Sequence, residues 1–169
     1  GAICIRLALD HPGRVEKLIL MAPGGLEERE VYMAMPGIQA MIKNVYAAKG
    51  PPTREGIAAT FKLQLWNEAL ITDEILEERL QIAAIQPKGI IQRLVVKNQE
   101  AELSNLTMPV LCLWGVDDKF CPASGAMKVA QNVKSSRTVL LSECGHWVMV
   151  EYAQLFNETA VRFLDGEAS

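Results

Sequence analysis

The sequence predicts an α/β fold in which a helical region interrupts a parallel sheet. Apolar runs of strand length occur at residues 15–21, 109–114 and 137–141, next to helical patterns or to turns that contain Pro and Gly. Residues 26–106 show helical periodicity without a comparable strand signal. Helices that alternate with short apolar strands are typical of a parallel sheet, so the long helical stretch is interpreted as an insertion.

Composition and charge place the chain among folded globular proteins. Of its 169 residues, 50% are hydrophobic and 22% are charged, and the formal net charge is −3. A chain of this length can bury a sizeable core. The mildly acidic balance argues against a nucleic-acid partner, which needs a basic surface. No apolar run approaches 18 residues, so no membrane span is expected.

The first and last parts of the chain carry the predicted sheet. Residues 2–9 form an apolar helix that a Pro-Gly turn ends, and residues 15–21 form the first strand. We expect a core at residues 1–25 and 107–169, with the helical insertion at residues 26–106. The later core elements are, in order, a buried strand at 109–114, a helix at 123–133, a strand at 137–141 and a helix at 148–164.

The insertion has its own start and stop signals. Thr53 is a candidate cap for a helix that reaches residue 66, and Thr72 is a candidate cap for a helix that Gln86 ends. A third helix is predicted over residues 87–99, with Pro in its first turn.

The cysteines predict neither a disulfide framework nor a zinc site. They occupy positions 4, 112, 121 and 144 and form no C-x-x-C pair. Reduced thiols are therefore expected, as in a cytoplasmic protein. The chain begins with Gly1 inside an apolar pattern, so we expect either a longer parent polypeptide or an aggregation-prone fragment with an exposed strand edge.

Of the two histidines, one lies where chemistry is expected. His11 precedes Pro12 at a helix end and is interpreted as a surface turn residue. His146 lies in a Gly-containing loop between a predicted strand and a helix, and Asp117 and Asp118 follow the preceding strand. Because the carboxyl ends of parallel strands meet at one edge of a sheet, His146 and one of the acids should lie close together.

A carboxylate that is hydrogen-bonded to an imidazole prepares the ring to act as a general base. It fixes the tautomer of the ring and stabilises the imidazolium that forms when the ring accepts a proton. A general base of this kind contributes roughly 10²–10⁴-fold to a rate. The alternative is that Asp118 caps the loop or the helix after it and that His146 is only packed. The spacing by itself leaves both interpretations open.

The acid and the histidine lie in two distinctive loops, residues 114–122 with the sequence WGVDDKFCP and residues 144–147 with the sequence CGHW. Both loops resemble those of the α/β-hydrolases. In that superfamily the acid commonly stands last in a G-x-x-D run, which selects Asp118, and the chain order is nucleophile, acid, histidine. The resemblance implies that Asp118 and His146 belong to a catalytic triad.

Three further stretches are informative: residues 18–26 (LILMAPGGL), residues 70–79 (LITDEILEER), and the Gly-His-Trp of residues 145–147 running on to Glu151 and to Phe156-Asn157. They resemble the meta-cleavage product hydrolases, which split carbon–carbon bonds in ring-fission products of aromatic degradation. The resemblance covers essentially the whole chain. It implies the C-terminal portion of an α/β-hydrolase fold that carries an all-helical cap.

The same resemblance implies roles for further side chains. Arg79 would hold the carboxylate of a dienoate substrate, and Trp147 would lie against it. Phe120 and Cys121, next to the acid, are candidates for the pocket lining. From the residues alone, the favoured interpretation of Arg79 is a solvated helix residue that pairs with Glu74, Glu77 or Glu78. The alternative for Trp147 is a core aromatic at a helix start. Cys144, beside the histidine, is an alternative nucleophile of a cysteine hydrolase.

The resemblance predicts a serine-type hydrolase that cleaves a C–C bond in a 2-hydroxy-6-oxo-2,4-dienoate. It implies a small-molecule substrate and needs neither a metal nor an organic cofactor; whether the protein forms a homo-oligomer is left open. The alternatives are another α/β-hydrolase, such as an esterase or a haloperoxidase-like enzyme, and a non-catalytic binding protein of this fold.

The chain contains no G-x-S-x-G motif, which is the nucleophile elbow of the fold. We expect the serine and the oxyanion hole to precede Gly1, and the 169 residues to be inactive on their own.

Overall fold

Three parallel strands form the sheet in the computed structural model, which describes residues 1–46, 50–86 and 95–166. The strands lie in chain order across the sheet, so β2 is central. Along the two ladders, Leu20 pairs with Cys112, which in turn pairs with Thr138. The α/β class predicted from the sequence is confirmed. The strands are β1 (Leu18–Met21), β2 (Val110–Gly115) and β3 (Ser136–Leu141).

The helices fall into two sets. The core set is α1 (Ala2–Asp10), α6 (Ser124–Asn132), α7 (Val148–Glu151) and α8 (Ala153–Asp165), with a 3₁₀ turn at Pro12–Arg14. The second set, called the cap here, is α2 (Arg29–Ala34), α3 (Pro36–Met41), a π-helical turn (Ile42–Tyr46), α4 (Arg54–Gln64), a 3₁₀ turn (Glu68–Leu70) and α5 (Asp73–Ile85). A 3₁₀ segment at Glu100–Asn105 follows the cap. The division expected from the sequence, with a core at residues 1–25 and 107–169 and a cap at residues 26–106, stays a prediction.

None of the helices in the described parts of the chain is long and apolar enough to cross a membrane.

The central strand is covered on both faces. All six residues of β2 are buried, which is why the strand has a continuous apolar sequence rather than an alternating one. Because side chains alternate along a strand, Cys112 and Trp114 face one core cluster, shared with α1 and α6, while Leu111 and Leu113 face another, shared with α7 and α8.

Both threonine caps in the cap region are confirmed. Thr53 Oγ1 accepts a hydrogen bond from Gly56 N at 3.1 Å at the start of α4, and Thr72 Oγ1 accepts one from Ile75 N at 3.3 Å at the start of α5. Each bond satisfies an N–H group that the first helical turn leaves without a partner. Helix α5 ends at Ile85, one residue before the predicted stop.

The helix predicted over residues 87–99 is wrong for its last part. Residues 95–99 are not helical, and residues 87–94 lie outside the described residues. The backbone N–H of Gln99 donates to Gly25 O at 2.7 Å, and its side-chain amide donates to Ala2 O at 3.1 Å. These contacts with distant segments take the place of the hydrogen bonds that a helix would make.

The last predicted helix is divided in two. Tyr152 has φ −124° and ψ 46°, which is not helical, and it separates α7 from α8. Its hydroxyl donates to Ser142 O at 3.0 Å. A tertiary contact therefore interrupts a periodicity that continues in the sequence.

Lys128 of α6, a core helix, forms ion pairs with residues at both ends of the cap. Its Nζ lies 2.7 Å from Glu27 Oε2, before the first cap helix, and 2.8 Å from Glu100 Oε2, after the last. It also donates to Leu26 O at 2.8 Å. Burial favours a raised pKa for Glu27, but the hydrogen bonds from Lys128 and Ser124 outweigh it and leave the pKa below its ordinary value.

Candidate active site

The two residues predicted to act together are in direct contact. His146 Nδ1 lies 2.8 Å from Asp118 Oδ2. The Asp118 side chain is fully buried, whereas that of His146 is 20% exposed. Since an ionised carboxylate only accepts hydrogen bonds, Nδ1 carries the proton in this pair, and in the neutral ring the lone pair is then on Nε2. The imidazole is therefore arranged to accept a proton at Nε2.

The other oxygen of Asp118 is held by its own loop. Oδ1 accepts hydrogen bonds from Phe120 N at 2.7 Å and from Cys121 N at 2.9 Å. Two backbone donors compensate for the burial of the charge and fix the orientation of the carboxylate. Asp118 therefore both caps its loop and contacts the histidine. Oδ1 binds the loop backbone, and Oδ2 contacts His146.

A glycine at the end of β2 lets the two loops approach each other. A Cβ on Gly115 would lie 2.1 Å from Gly145 O and 2.3 Å from Cys144 O. The backbone N–H of Asp117 donates to Cys144 O at 3.0 Å. Only a residue without a side chain allows the histidine loop to cross the strand end at this distance.

Phe120 lies against the imidazole rather than in the wall of the cap cavity described below. The rings of Phe120 and His146 are stacked, with centroids 5.4 Å apart and planes at 27°. Gly37 of α3 also lies against Phe120, where a Cβ would be 2.3 Å from the ring. The N–H of Gly37 also donates to Lys119 O at 2.8 Å. The cap thus docks on the acid loop through this ring.

Arg79 and Trp147 meet above the sheet edge. The Arg79 guanidinium carbon lies 4.9 Å from the centroid of the Trp147 ring and 5.9 Å from that of Phe61. Phe61 contacts Trp147 edge to face at 5.0 Å. Within the described residues, no ion pair joins Arg79 to the glutamates of its own helix. Stacking on an aromatic face holds the guanidinium plane while its N–H groups stay available.

A cavity of about 140 Å³ lies beside this stack. Apolar side chains form most of its wall, and the guanidinium of Arg79 is its cation. Neither Phe120 nor Cys121 lines it; Cys121 is buried in the core cluster, where its carbonyl accepts from Trp114 Nε1 at 3.1 Å. The lining comprises Met41, Ile57, Thr60, Phe61, Gln64, Arg79, Ile82, Ala83, Gln86 and Trp147.

The buried cysteines are poor nucleophiles. Burial raises the pKa of Cys112 and of Cys121 to about 12. Burial, with a contribution from the nearby Glu151 carboxylate, raises the pKa of Cys144 to about 12 as well. A thiol with this pKa is almost wholly protonated at neutral pH, and the thiolate is the reactive form. These values argue against Cys144 as the nucleophile.

In the described part of the chain, no three His, Cys, Asp or Glu side chains are grouped as ligands for a metal ion would be.

A family model described as the alpha/beta hydrolase fold matches residues 1–153. The chain belongs to the α/β-hydrolase fold family. This agrees with the three parallel strands, with the helical cap between β1 and β2, and with an acid and a histidine in loops after successive strands.

Two curated relatives of this α/β-hydrolase come from Comamonas testosteroni. A 2-hydroxy-6-oxo-6-phenylhexa-2,4-dienoate hydrolase is 32% identical over 97% of the chain. A 2-hydroxy-6-oxononadienedioate/2-hydroxy-6-oxononatrienedioate hydrolase is 31% identical over 97% of the chain. The chain spans 59% of the length of each of these relatives.

Among solved structures, the meta-cleavage product hydrolase of Pseudomonas fluorescens IP01 matches 98% of the α/β-hydrolase chain with a TM-score of 0.80. The sequences are 21% identical, and the match covers 61% of that structure. At this identity the likeness supports the fold.

Two residues of this α/β-hydrolase site were not found by sequence reasoning. Gly37 supports Phe120, and Glu151 contacts the histidine loop, where its Oε2 accepts from Gly145 N at 2.6 Å. No local pattern marks Gly37, because its contact lies in a distant loop. Glu151 is part of the stretch that resembles the meta-cleavage product hydrolases, but the sequence shows no partner for it.

Proposed function

We propose that the protein carrying this chain is a serine-type hydrolase that cleaves a C–C bond in 2-hydroxy-6-oxo-2,4-dienoates. The observation that carries the proposal is the position of Arg79. Its guanidinium lies 4.9 Å from the ring of Trp147, the residue directly after His146. A cation that can bind a carboxylate therefore contacts the residue next to His146, whose imidazole is paired with Asp118.

The roles of the dyad follow from its geometry. His146, held by Asp118 through Nδ1, accepts and returns protons at Nε2. The dienol is first ketonised. The serine oxygen then adds to the carbon that bears the 6-oxo group, and His146 takes the proton of the hydroxyl. The bond between that carbon and C5 breaks, C5 receives a proton, and an ester on the serine is left. Water then hydrolyses this ester, so that its oxygen stays in the new carboxylic acid and the serine regains its proton through His146.

Substrate recognition is assigned to the cap. Arg79 binds the 1-carboxylate through the planar fork of its guanidinium, and the Trp147 ring supports both the guanidinium and the conjugated chain. The apolar wall of the cavity suits the unsaturated carbon skeleton. The relatives, named as hydrolases of such dienoates, support this substrate class.

The nucleophile is assigned to a serine outside these 169 residues, because the chain contains no G-x-S-x-G motif. The experiment therefore uses the full polypeptide that contains this chain. Turnover of a 2-hydroxy-6-oxo-6-phenyl-2,4-dienoate is followed by the loss of its absorbance, and turnover of a nitrophenyl acetate is measured in parallel. The variant is His146→Ala, and the matched control is His11→Ala, at the exposed end of α1.

The expected result is preferential turnover of the dienoate, lost in His146→Ala and retained in His11→Ala. Unchanged dienoate turnover in His146→Ala would overturn the catalytic assignment. Turnover of the ester alone would identify an esterase, and turnover of neither substrate would favour a binding protein.

A further inference from the structure

A single carboxylate joins the histidine loop to the cap. Glu151 Oε1 accepts hydrogen bonds from Trp66 N at 2.6 Å and from Asn67 N at 2.9 Å, just after cap helix α4. Its other oxygen, Oε2, accepts from Gly145 N at 2.6 Å, in the loop that carries His146. Three backbone donors from two separate segments thus converge on one side chain.

The histidine loop has a second contact with the same end of α4. His146 N donates to Gln64 O at 2.7 Å, the last residue of the helix. A Cβ on Gly145 would lie 2.4 Å from that same carbonyl oxygen. The backbone that leads into the imidazole-bearing Cα is therefore packed against the end of α4, and Glu151 binds the same backbone through Gly145 N.

The chemistry of these bonds requires a carboxylate. An ionised carboxylate has two oxygens that only accept, so both ends of the side chain satisfy N–H groups. A carboxamide would turn an NH₂ group toward one of the two segments. Bonds to a charged acceptor are also shorter and stronger than neutral ones. In the described part of the chain no Lys or Arg forms an ion pair with Glu151, so its charge is balanced by backbone dipoles.

We propose that Glu151 is a positioning residue, which fixes the backbone of the His146 loop to the end of cap helix α4 and so holds the imidazole in line with Asp118. The role in turnover rests on the function proposed above. The effect of Glu151 on the orientation of the imidazole is a property of the protein without substrate, so it does not depend on which substrate is hydrolysed.

The test compares Glu151→Gln with Glu158→Gln in the full polypeptide. Glu158 is an exposed residue of α8 whose side chain accepts from Gln154 and, within the described residues, forms no ion pair, so its replacement controls for the loss of one surface charge. Two quantities are measured: the kcat and KM for the dienoate, and the downfield proton NMR signal of Nδ1–H in the hydrogen bond from His146 to Asp118.

A misplaced catalytic group costs up to about 10²-fold in rate. We expect Glu151→Gln to lower kcat about 10- to 100-fold with KM changed less than about 3-fold, and to broaden or shift the downfield signal. Glu158→Gln should leave both unchanged. Wild-type kcat together with a wild-type downfield signal in Glu151→Gln would overturn the proposal.

If Glu151→Gln does not fold, the pair Asn67→Pro and Asn67→Ala gives the answer. The φ of Asn67 is −87°, close to that of proline. Both changes remove the Asn67 side chain, but only the proline removes the N–H that donates to Glu151 Oε1. A lower kcat and an altered downfield signal in the proline variant alone support the proposal, and equal values in the two variants refute it.

The two proposals can fail separately. If the wild type does not hydrolyse the dienoate but Glu151→Gln still alters the downfield signal, the positioning role stands and the substrate assignment falls. If the wild type hydrolyses the dienoate and Glu151→Gln matches Glu158→Gln in every measurement, the function stands and the positioning role falls.

Discussion

The guanidinium of Arg79 stacks on the ring of Trp147 at 4.9 Å, which places a cap residue directly beside the residue that follows His146. This contact joins the two parts of the site, since the imidazole belongs to the core and the cation to the cap. Under the proposed function, charge recognition belongs to the cap and proton transfer to the core, so the two units must dock correctly on each other.

Replacing Arg79 should affect only substrates that carry a carboxylate. We expect Arg79→Met to lower kcat/KM for the dienoate by about 10- to 100-fold, the range of a lost hydrogen bond to a charged group. Hydrolysis of an uncharged nitrophenyl ester should change less than about 3-fold, because that substrate has no group for the cation to bind. Steady-state kinetics on both substrates check this, and equal losses on both would contradict a role in carboxylate binding.

Replacing Asp118 should lower kcat strongly, and replacing its neighbour Asp117 should not. Asp118→Asn removes the acceptor that fixes the His146 tautomer, so we expect kcat to fall by about 10³–10⁴-fold. Asp117→Asn is the matched control, because no hydrogen bond or ion pair joins the Asp117 carboxylate to His146. Comparable kcat losses in the two variants would count against the assignment of the acid.

A side chain at Gly37 should disturb the cap and the imidazole together. The added methyl of Gly37→Ala would lie 2.3 Å from Phe120, whose ring stacks on His146. We expect a loss of about 1–3 kcal/mol in the free energy of unfolding from overpacking, with a lower kcat. Gly24→Ala is the control, since no heavy atom lies within 4 Å of its Cβ position. Urea denaturation of both variants measures the effect, and equal midpoints would refute it.

Lys128 should stabilise the protein in a pH-dependent manner. Lys128→Met leaves Glu27 and Glu100 without their cation, and we expect a loss of about 1–3 kcal/mol at pH 7. Because the folded-state pKa of Glu27 is lowered, its stabilisation is complete above the ordinary value of 4.5 and is lost as the pH falls through the folded-state value.

The difference in unfolding free energy between wild type and Lys128→Met should therefore shrink below about pH 4.5. Arg54→Ala is the control, because it breaks the exposed pair with Asp73 and should cost less than about 1 kcal/mol. Denaturation curves across this pH range test the expectation, which a pH-independent difference would disprove.

Three thiols should resist alkylation in the folded protein. The pKa values of Cys112, Cys121 and Cys144 are about 12, mainly because the side chains are buried. We expect iodoacetamide at pH 8 to leave them unmodified, and to modify them in guanidinium chloride, where they are exposed. Peptide mass spectrometry distinguishes the sites. Rapid modification of Cys144 in the folded state would reopen the question of a cysteine nucleophile.

Local sequence signals determined most of the secondary structure. β2 could be recognised because a strand buried on both faces needs apolar residues throughout, and the starts of α4 and α5 because Thr53 and Thr72 cap them with their own hydroxyls. The encounter of Asp118 with His146 could also be predicted, since loops after neighbouring parallel strands emerge at the same edge.

Contacts between distant segments decided the rest. Residues 95–99 lack a helix because Gln99 bonds to Gly25 and Ala2, and α7 stops before Tyr152, whose hydroxyl bonds to Ser142. A helical periodicity carries no information about partners that lie far away in the chain, so local patterns cannot reveal such interruptions.

The same reason limits what the sequence determined about the site. The sequence of α5 does not distinguish a solvated Arg79 from one with an aromatic partner, and only the docking of the cap gives it Trp147. Gly37 and Glu151 acquire their contacts with the acid and histidine loops in the same way. The sequence by itself determined that Asp118 and His146 would meet, because their loops follow neighbouring parallel strands. Tertiary packing decided which residues hold them in place, because those bonds run between segments far apart in the chain.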